Sequence, residues 1–185
     1  VSVAISDDGN TLVATALDED GMTTGINSNP VPDSDNDTST GAIYVYIYEN
    51  DNWSEQAYIK SSNTDSNDWF GSRLALSGDG NTLAAGAQLE DSFSRGINGN
   101  QQNNEATEAG AVYLFNRTSD TWTQVDYIKS SNSEAFDEFG SSISLSHDGS
   151  ILAIGAQFED SEAEGVNGNQ ANNSAFDSGA VYIFR

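Results

Sequence analysis

The sequence predicts an all-β fold of β-propeller blades, each made of four antiparallel strands. Motifs recur at a fixed distance: "GAIYVY" starts at Gly41, "GAVYLF" at Gly110 and "GAVYIF" at Gly179, and 110 − 41 = 179 − 110 = 69. Each complete repeat also holds four short stretches in which β-branched or aromatic residues alternate with small or polar ones. One such unit cannot bury both of its faces, so neighbouring units must stack on it, as blades do.

The 185 residues amount to about 2.7 repeats. They divide into residues 1–69, without the start of a first strand, residues 70–138, and residues 139–185, without a fourth strand. Because propellers close with at least about four blades, we expect this sequence to be part of a larger propeller or array, or several chains to complete one another.

The middle repeat shows the strands in order. "FGSRLALS" (70–77) and "TLAAGAQL" (82–89) are the first and second strands, and the turn "GDGN" between them is tight because Gly80 tolerates a positive φ. "GAVYLFN" (110–116) and "WTQVDYIKSS" (122–131) are the third and fourth strands, joined by the polar turn "RTSD".

Single residues recur with these strands. Trp53 and Trp122 occupy one fourth-strand position, since 53 + 69 = 122, which favours a place in the core between blades over a sugar platform. Asp68 and Asp137 each lie two residues before a Phe-Gly pair, where we expect them to cap the turn into the first strand.

A long polar loop separates the second and third strands. It reads "GINGNQQNNEATEA" at residues 96–109, is nearly copied at 165–178, and is rewritten and two residues longer in the first repeat. "GIN" or "GVN" persists at its start, which predicts a structural turn that folds the loop back on its blade. Ligand specificity is expected in the part that drifts, from Gln101 to Glu108 and its counterparts.

The motifs together resemble the FG-GAP repeat, the blade of the integrin α-subunit propeller and of many bacterial surface proteins. Phe70-Gly71 and Phe139-Gly140 match its Phe-Gly pair, "GAQ" at 86–88 and 155–157 matches Gly-Ala-Pro with Gln in place of Pro, and the third-strand motif matches in every repeat. The resemblance implies an extracellular, seven-bladed propeller that acts in adhesion or ligand recognition. The calcium loop of the family is not carried over, because the turns "SDDGN", "SGDGN" and "SHDGS" are too short for the six to eight oxygen ligands of Ca²⁺.

Carboxylates near the long loops are candidate Ca²⁺ ligands. A Glu-Asp pair follows each second strand, and the first loop adds a run of alternate Asp residues: Glu19, Asp20, Glu90, Asp91, Glu159, Asp160, Asp33, Asp35 and Asp37. The run lacks the Gly and Glu that an EF-hand requires. The alternative is that these residues cap turns by accepting backbone N–H groups.

Amide side chains of the long loops are candidate ligand-binding groups: Asn98, Asn100, Asn103, Asn104, Asn167, Asn169, Asn172 and Asn173. Trp69 is a candidate exposed aromatic residue, because its counterpart in the next repeat is Glu138. An exposed indole among Asn and Asp residues is able to stack on a sugar.

Residues for common catalytic arrangements are scarce. The single His, His147, lies at a turn position where the other repeats have Asp and Gly, and the sequence contains no Cys. A nucleophile activated by His is therefore not expected, and we predict that the protein is not an enzyme.

The charge of the chain limits its partners. With 29 acidic and 6 basic residues, its formal net charge is −23, so phosphate backbones would repel it and we expect no nucleic acid partner. No apolar stretch approaches the length of a membrane span, and we expect no membrane insertion. Adaptation to a salty environment is an equally simple reading of the acidity.

The sequence therefore predicts a non-catalytic extracellular or cell-surface propeller module that binds a protein or glycan ligand. The alternative is a structural subunit of an extracellular filament or assembly, in which copies of the chain complete one another by strand exchange at the edge formed by residues 179–185.

Overall fold

The computed structural model of the protein describes residues 2–28 and 38–185. These residues form eleven strands and no helix: β1 (Val3–Ile5), β2 (Thr11–Ala16), β3 (Ala42–Glu49), β4 (Asn52–Ile59), β5 (Arg73–Leu76), β6 (Thr82–Ala87), β7 (Ala111–Thr118), β8 (Thr121–Ile128), β9 (Phe139–Leu145), β10 (Leu152–Ala156) and β11 (Ala180–Phe184).

The strands form three antiparallel sheets in which chain order is also spatial order. Blade 1 consists of β1–β4, blade 2 of β5–β8 and blade 3 of β9–β11. The prediction of all-β, propeller-type blades is confirmed. The predicted strand ends were less accurate: β6 ends at Ala87 because the chain turns there, and the Glu90 amide donates back to the Ala87 carbonyl.

Two apolar cores hold the blades together, one between blades 1 and 2 and one between blades 2 and 3. Leu74 and Leu76 of β5 pack into the first core. Val3 and Ile5 hold the same register positions in β1 but are 65% and 57% exposed, because they lie on the side of blade 1 away from blade 2. Trp122 is buried in the first core, as the sequence predicts, whereas its counterpart Trp53 is exposed.

The recurrent Phe-Gly and Gly-Ala motifs meet at each junction. Phe70 is fully buried, with its ring edge-on to Tyr113 at 5.3 Å between centroids. The backbone of Phe139 passes so close to Gly110 that a Cβ there would lie 2.2 Å from the Phe139 carbonyl oxygen. Only Gly fits this position, which has a φ of +77°.

The antiparallel order places all long loops at one end of the blades. We call this end the loop face; it comprises the loops between second and third strands and the segments that join one blade to the next, residues 17–28, 38–41, 60–72, 88–110, 129–138 and 157–179. The tight hairpin turns occupy the opposite end.

Candidate functional site

The "GIN" turn fastens each long loop to the fourth strand of its own blade. In blade 2, the Lys129 amide donates to the Gly96 carbonyl at 2.9 Å and the Asn98 amide donates to the Tyr127 carbonyl at 2.7 Å. The Asn98 side chain accepts the Tyr127 N–H at 2.9 Å, and its φ of +56° suits Asn. Blade 1 repeats these contacts with Gly25, Asn27 and Tyr58. The turn is therefore structural, as the sequence predicts.

In blades 1 and 2, the Glu of the Glu-Asp pair lies beneath the loop and contacts the end of the fourth strand. Glu90 is 1% exposed and binds the fully buried Lys129 through Oε2 at 2.8 Å. The Tyr127 hydroxyl donates to Glu90 Oε1 at 3.0 Å. In blade 1, Glu19 binds Lys60 and Tyr58 in the same way. These contacts supply hydrogen bonds and a counter-charge that buried charges require.

An Asn from the preceding blade completes this network. Asn63, which follows β4, donates to Glu90 Oε1 at 2.9 Å and accepts the Tyr113 hydroxyl at 2.6 Å. Asn132 makes the same bonds to Glu159 and Tyr182 at 2.7 and 2.5 Å. The recurrent "YIKSSN" segment therefore joins two blades: its Tyr and Lys bind the Glu of their own blade, and its Asn binds the Glu of the next.

The Asp of each Glu-Asp pair closes the long loop. Asp20 Oδ1 accepts the backbone N–H groups of Thr38 and Ser39 at 2.9 and 2.7 Å. The other blades show the equivalent bonds Asp91–Glu108 (2.7 Å) and Asp160–Asp177 (2.8 Å). These aspartates cap turns, which is one of the two roles that the sequence predicts for them.

The acid before each Phe-Gly pair also accepts a backbone amide. Asp68 accepts the Asp65 N–H at 3.1 Å and Asp137 accepts the Glu134 N–H at 2.9 Å, so both cap turns as the sequence predicts. Burial, together with the smaller effect of the Glu90 carboxylate, raises the pKa of Asp68 to about 8. Burial likewise raises the pKa of Asp137 to about 6. Each blade junction thus contains a carboxyl group that ionises with difficulty.

The candidate carboxylates that the structure describes make their main contacts within the protein. Among residues 2–28 and 38–185, no three His, Cys, Asp or Glu side chains are placed to hold a metal ion. The oxygens of Glu90 already face lysine, tyrosine and amide donors. Asp33, Asp35 and Asp37 lie outside the described residues, and calcium binding stays a prediction.

The candidate Asn residues also bond mostly within the protein. Asn100 and Asn169 accept the amides two residues onward in tight turns. Asn104 and Asn173 reach the segment that follows the preceding blade, at Asp65 and Glu134 respectively. Further bonds link Asn103 to Phe93 and Asn172 to Glu162, and Asn167 has the same positive φ as Asn98. Their binding of an external ligand stays a prediction.

The loop face exposes two positions in each loop that the sequence reasoning did not single out. They lie two and four residues after the capping Asp, just before the "GIN" or "GVN" turn: Met22 and Thr24, Phe93 and Arg95, Glu162 and Glu164. Arg95 lies over the Phe93 ring, 5.7 Å from its centroid. A sequence signal existed, because these side chains differ between repeats, whereas the Glu-Asp pair before them and the Gly and Asn of the turn after them persist.

Aromatic side chains are also exposed where one blade joins the next. Trp69 is 40% exposed and Phe136 is 57% exposed. The exposure of Trp69 agrees with the sequence expectation, and sugar stacking by it stays a prediction.

His147 belongs to the turn end rather than to a catalytic constellation. The Asp7 amide donates to the Gly78 carbonyl, the Gly78 amide donates to the His147 carbonyl, and His147 Nδ1 lies 2.8 Å from Asp7 Oδ2. A Cβ on Gly78 would lie 2.2 Å from His147 Nδ1. The equivalent turns of the three blades therefore stack in a column.

Strand β11 has a hydrogen-bonded neighbour on one side only among the described residues. A groove of about 640 Å³ lies along its other edge, with Ser161, Val166, Val181 and Tyr182 among its lining residues. In blade 2, the equivalent edge of β7 is covered by β8.

A sequence model described as the FG-GAP repeat matches the chain twice, over residues 53–115 and 122–184. Each match begins in the fourth strand of one blade and ends in the third strand of the next. The matched unit therefore spans a blade junction, including "YIKSSN" and Phe-Gly. No curated protein matches the chain.

Proposed function

Because the chain belongs to the FG-GAP repeat family, we propose that it is a non-catalytic module that binds a protein or glycan ligand through its loop face. The observation that carries this proposal is the contrast within each loop. A capping Asp and a "GIN" or "GVN" turn frame the loop, and the exposed pair between them changes from blade to blade. Variable side chains on a rigid frame are the usual arrangement of recognition loops.

Blade 2 offers the most distinctive recognition pair. Phe93 supplies exposed aromatic area, and Arg95 supplies one of only six basic residues in a chain of net charge −23. Arg95 also lies 4.0 Å from Glu134. An aromatic ring beside a guanidinium suits a ligand with both an apolar and an anionic or polar part.

A ligand array with matched variants tests this role. We expect the chain to bind a glycan or a surface protein, and the double variant Phe93→Ser, Arg95→Ser to weaken that binding about tenfold or more. Both side chains are exposed, so the thermal midpoint should stay unchanged. The control Glu162→Ser, Glu164→Ser changes the same two positions in blade 3. Binding that survives the blade 2 change, or an array without any ligand, would contradict the proposal.

We propose that the protein acts outside the cell or on its surface. FG-GAP repeats are typically extracellular. The net charge of −23 favours a protein that stays dissolved in water. Among the described residues, no helix is long and apolar enough to span a membrane. Protease treatment of intact source cells tests the location, since an intracellular chain would survive it.

A structural subunit of an extracellular assembly is the second candidate function. In such an assembly, a strand of another copy would pair with the edge of β11 opposite β10, since a β-sheet edge adds a strand when one is offered. If copies complete one another, light scattering should show concentration-dependent oligomers. A monodisperse monomer at high concentration would contradict this second function.

Calcium stabilisation is tested separately. If Ca²⁺ binds, the thermal midpoint should rise with CaCl₂ and fall when EDTA is added, in proportion to the free-ion concentration. An unchanged midpoint would remove the calcium hypothesis.

A further inference from the structure

We propose that Trp69 and Phe136 anchor a neutral oligosaccharide on the loop face, each by stacking on one sugar ring. The inference rests on the proposed function of the loop face and names the class of its ligand. Both residues lie outside the long loops, in the segments that join one blade to the next. We call residues 60–72 the first linker and residues 129–138 the second linker.

Both aromatic residues have a backbone conformation that bulky side chains rarely adopt. The φ of Trp69 is +57° and the φ of Phe136 is +71°. A positive φ brings Cβ close to a backbone carbonyl oxygen, so Gly and Asn tolerate it but an aromatic residue is strained. Strain of this kind is concentrated at binding and catalytic sites, where the surrounding structure maintains it.

The conformation belongs to the linker rather than to its aromatic residue. Asn67 is the counterpart of Phe136 and Glu138 is the counterpart of Trp69, each one repeat of 69 residues away. The φ values of Asn67 and Glu138 are +67° and +50°. Each linker therefore places an aromatic residue at a strained position where the other linker has Asn or Glu. The fold does not require either ring.

The two rings are exposed and have polar neighbours. Trp69 is 40% exposed and Phe136 is 57% exposed. Asn67 and Ser66 lie exposed close to Trp69 in the chain, and Glu134 lies exposed close to Phe136. An aromatic ring beside amide, hydroxyl and carboxylate groups suits a sugar, whose C–H face stacks on the ring while its hydroxyl groups form hydrogen bonds.

The charge of this surface favours a neutral sugar over an anionic polymer. The basic residues of the linkers, Lys60 and Lys129, are fully buried and paired with glutamates. The exposed guanidinium of Arg95 lies 4.0 Å from Glu134, and the chain has a net charge of −23. A sulfated glycan would therefore be repelled, whereas stacking on a ring requires no charge.

The long loop of blade 2 contacts both linkers. The Asn104 side chain donates to Asp65 of the first linker, and the Thr107 carbonyl accepts the Phe136 amide of the second linker. The two aromatic residues therefore lie on neighbouring linkers of the same face. A chain of several sugars fits this arrangement better than a monosaccharide, because two stacking positions then act on one ligand.

Calorimetric titration with neutral hexasaccharides tests the inference. The probes are cellohexaose, mannohexaose and chitohexaose, and a heparin hexasaccharide is the charged control. We expect saturable binding of at least one neutral probe and no binding of heparin. Trp69→Asn and Phe136→Asn should each weaken the binding of that probe about tenfold or more. Their thermal midpoints should stay the same or rise, because Asn tolerates a positive φ.

Tyr48→Asn is the matched control. Tyr48 is 38% exposed, close to the value of Trp69, but it lies near the end of β3 at the turn end of the blades. Its replacement should leave the affinity for the probe within about twofold. Phe136→Asn is also the residue that the first linker carries at the equivalent position, Asn67, so this variant is expected to fold.

Several results would overturn the inference: no saturable binding of any neutral probe, binding of heparin alone, or an affinity that both Asn variants leave unchanged. A lower thermal midpoint in both variants would also overturn it, since the rings would then serve the fold. A protein ligand that depends on Phe93 and Arg95, without any sugar binding, would overturn this inference and leave the proposed function intact. Sugar binding that survives Phe93→Ser, Arg95→Ser would contradict only that proposed recognition pair.

Discussion

At the scale of single residues, buried ion pairs join the long loop to the end of the fourth strand within blades 1 and 2. Lys60 and Lys129 are fully buried, and each has a glutamate as its counter-ion. Burial lowers the pKa of Lys129, and the nearby Glu90 carboxylate opposes that effect. A buried pair of this kind adds little net stability over an apolar pair, but it is costly to break.

Replacing Lys129 by Met is expected to destabilise the protein by about 3 kcal/mol, because Glu90 is left buried without a counter-charge. The double variant Lys129→Met, Glu90→Gln should recover a large part of this loss. Lys60→Met is the matched control and should cost less, since the Glu19 side chain is 14% exposed. Urea unfolding measures all three, and equal stabilities of the single and double variants would refute the charge argument.

Asp68 makes stability depend on pH. Burial raises its pKa from 3.8 to about 8, so between these values the folded state binds a proton that the unfolded state has released. Stability should therefore fall as pH rises from about 4 to 8. Asp68→Asn should flatten this dependence, whereas Asp51→Asn, at an exposed turn between β3 and β4, should preserve it. Unfolding free energies measured across this range provide the test, and parallel curves for the two variants would contradict it.

At the scale of elements, the "GIN" turn acts as an additional edge for the fourth strand. It pairs with the outer side of β4 and β8 through the bridges Ile26–Ile59 and Ile97–Ile128. Unpaired strand edges invite unwanted pairing, and a short covering segment prevents it. The loop therefore protects its blade at the same time as it presents exposed side chains.

The change Asn98→Ala tests this covering role. It removes the acceptor of the Tyr127 amide and the bond to Asp126, and it also strains a positive φ. Asn167→Ala places Ala at the same positive φ in blade 3 and therefore has the same conformational cost. In blade 3, no fourth strand is present among the described residues. The difference between the two losses of stability should be about 1–2 kcal/mol. Faster hydrogen exchange of the Tyr127 amide in Asn98→Ala is expected, and an unchanged rate would argue against the turn as a cover.

At the scale of the whole molecule, polar networks couple each blade to the next. Asn63 joins blade 1 to blade 2 and Asn132 joins blade 2 to blade 3, each through a Glu and a Tyr. The apolar cores lie between the same blades. Nearest-neighbour coupling of this kind is what a repeat architecture requires.

Asn132→Ala should loosen blade 3 alone. It leaves Glu159 and Tyr182 without the side chain that both of them contact, and we expect local opening of β9–β11 to become easier by about 2–3 kcal/mol. Asn63→Ala is the paired variant and should instead loosen the junction of blades 1 and 2. Native-state hydrogen exchange resolves the two patterns, and a uniform change over all strands would contradict separate coupling.

Much of the fold could be predicted from the sequence because its strands and turns follow periodic patterns. The spacing of "GAVYLF" and the alternating strands predicted four-stranded blades, and the persistence of "GIN" predicted a structural turn. For the candidate site, recurrence identified the Glu and Asn residues of the long loops but not the groups that they contact. Glu90 and Asn98 bond within the protein, and the metal and ligand roles of these residues stay predictions.

The sequence by itself determined the repeat, the strands, the turns and the family, because these depend on residues close together in the chain or on strict recurrence. Only the tertiary structure decided the partners of the recurrent polar residues. Asn63 lies 27 residues before Glu90 and 50 before Tyr113, and no local pattern specifies such contacts. Stacking of the blades brings these three residues together.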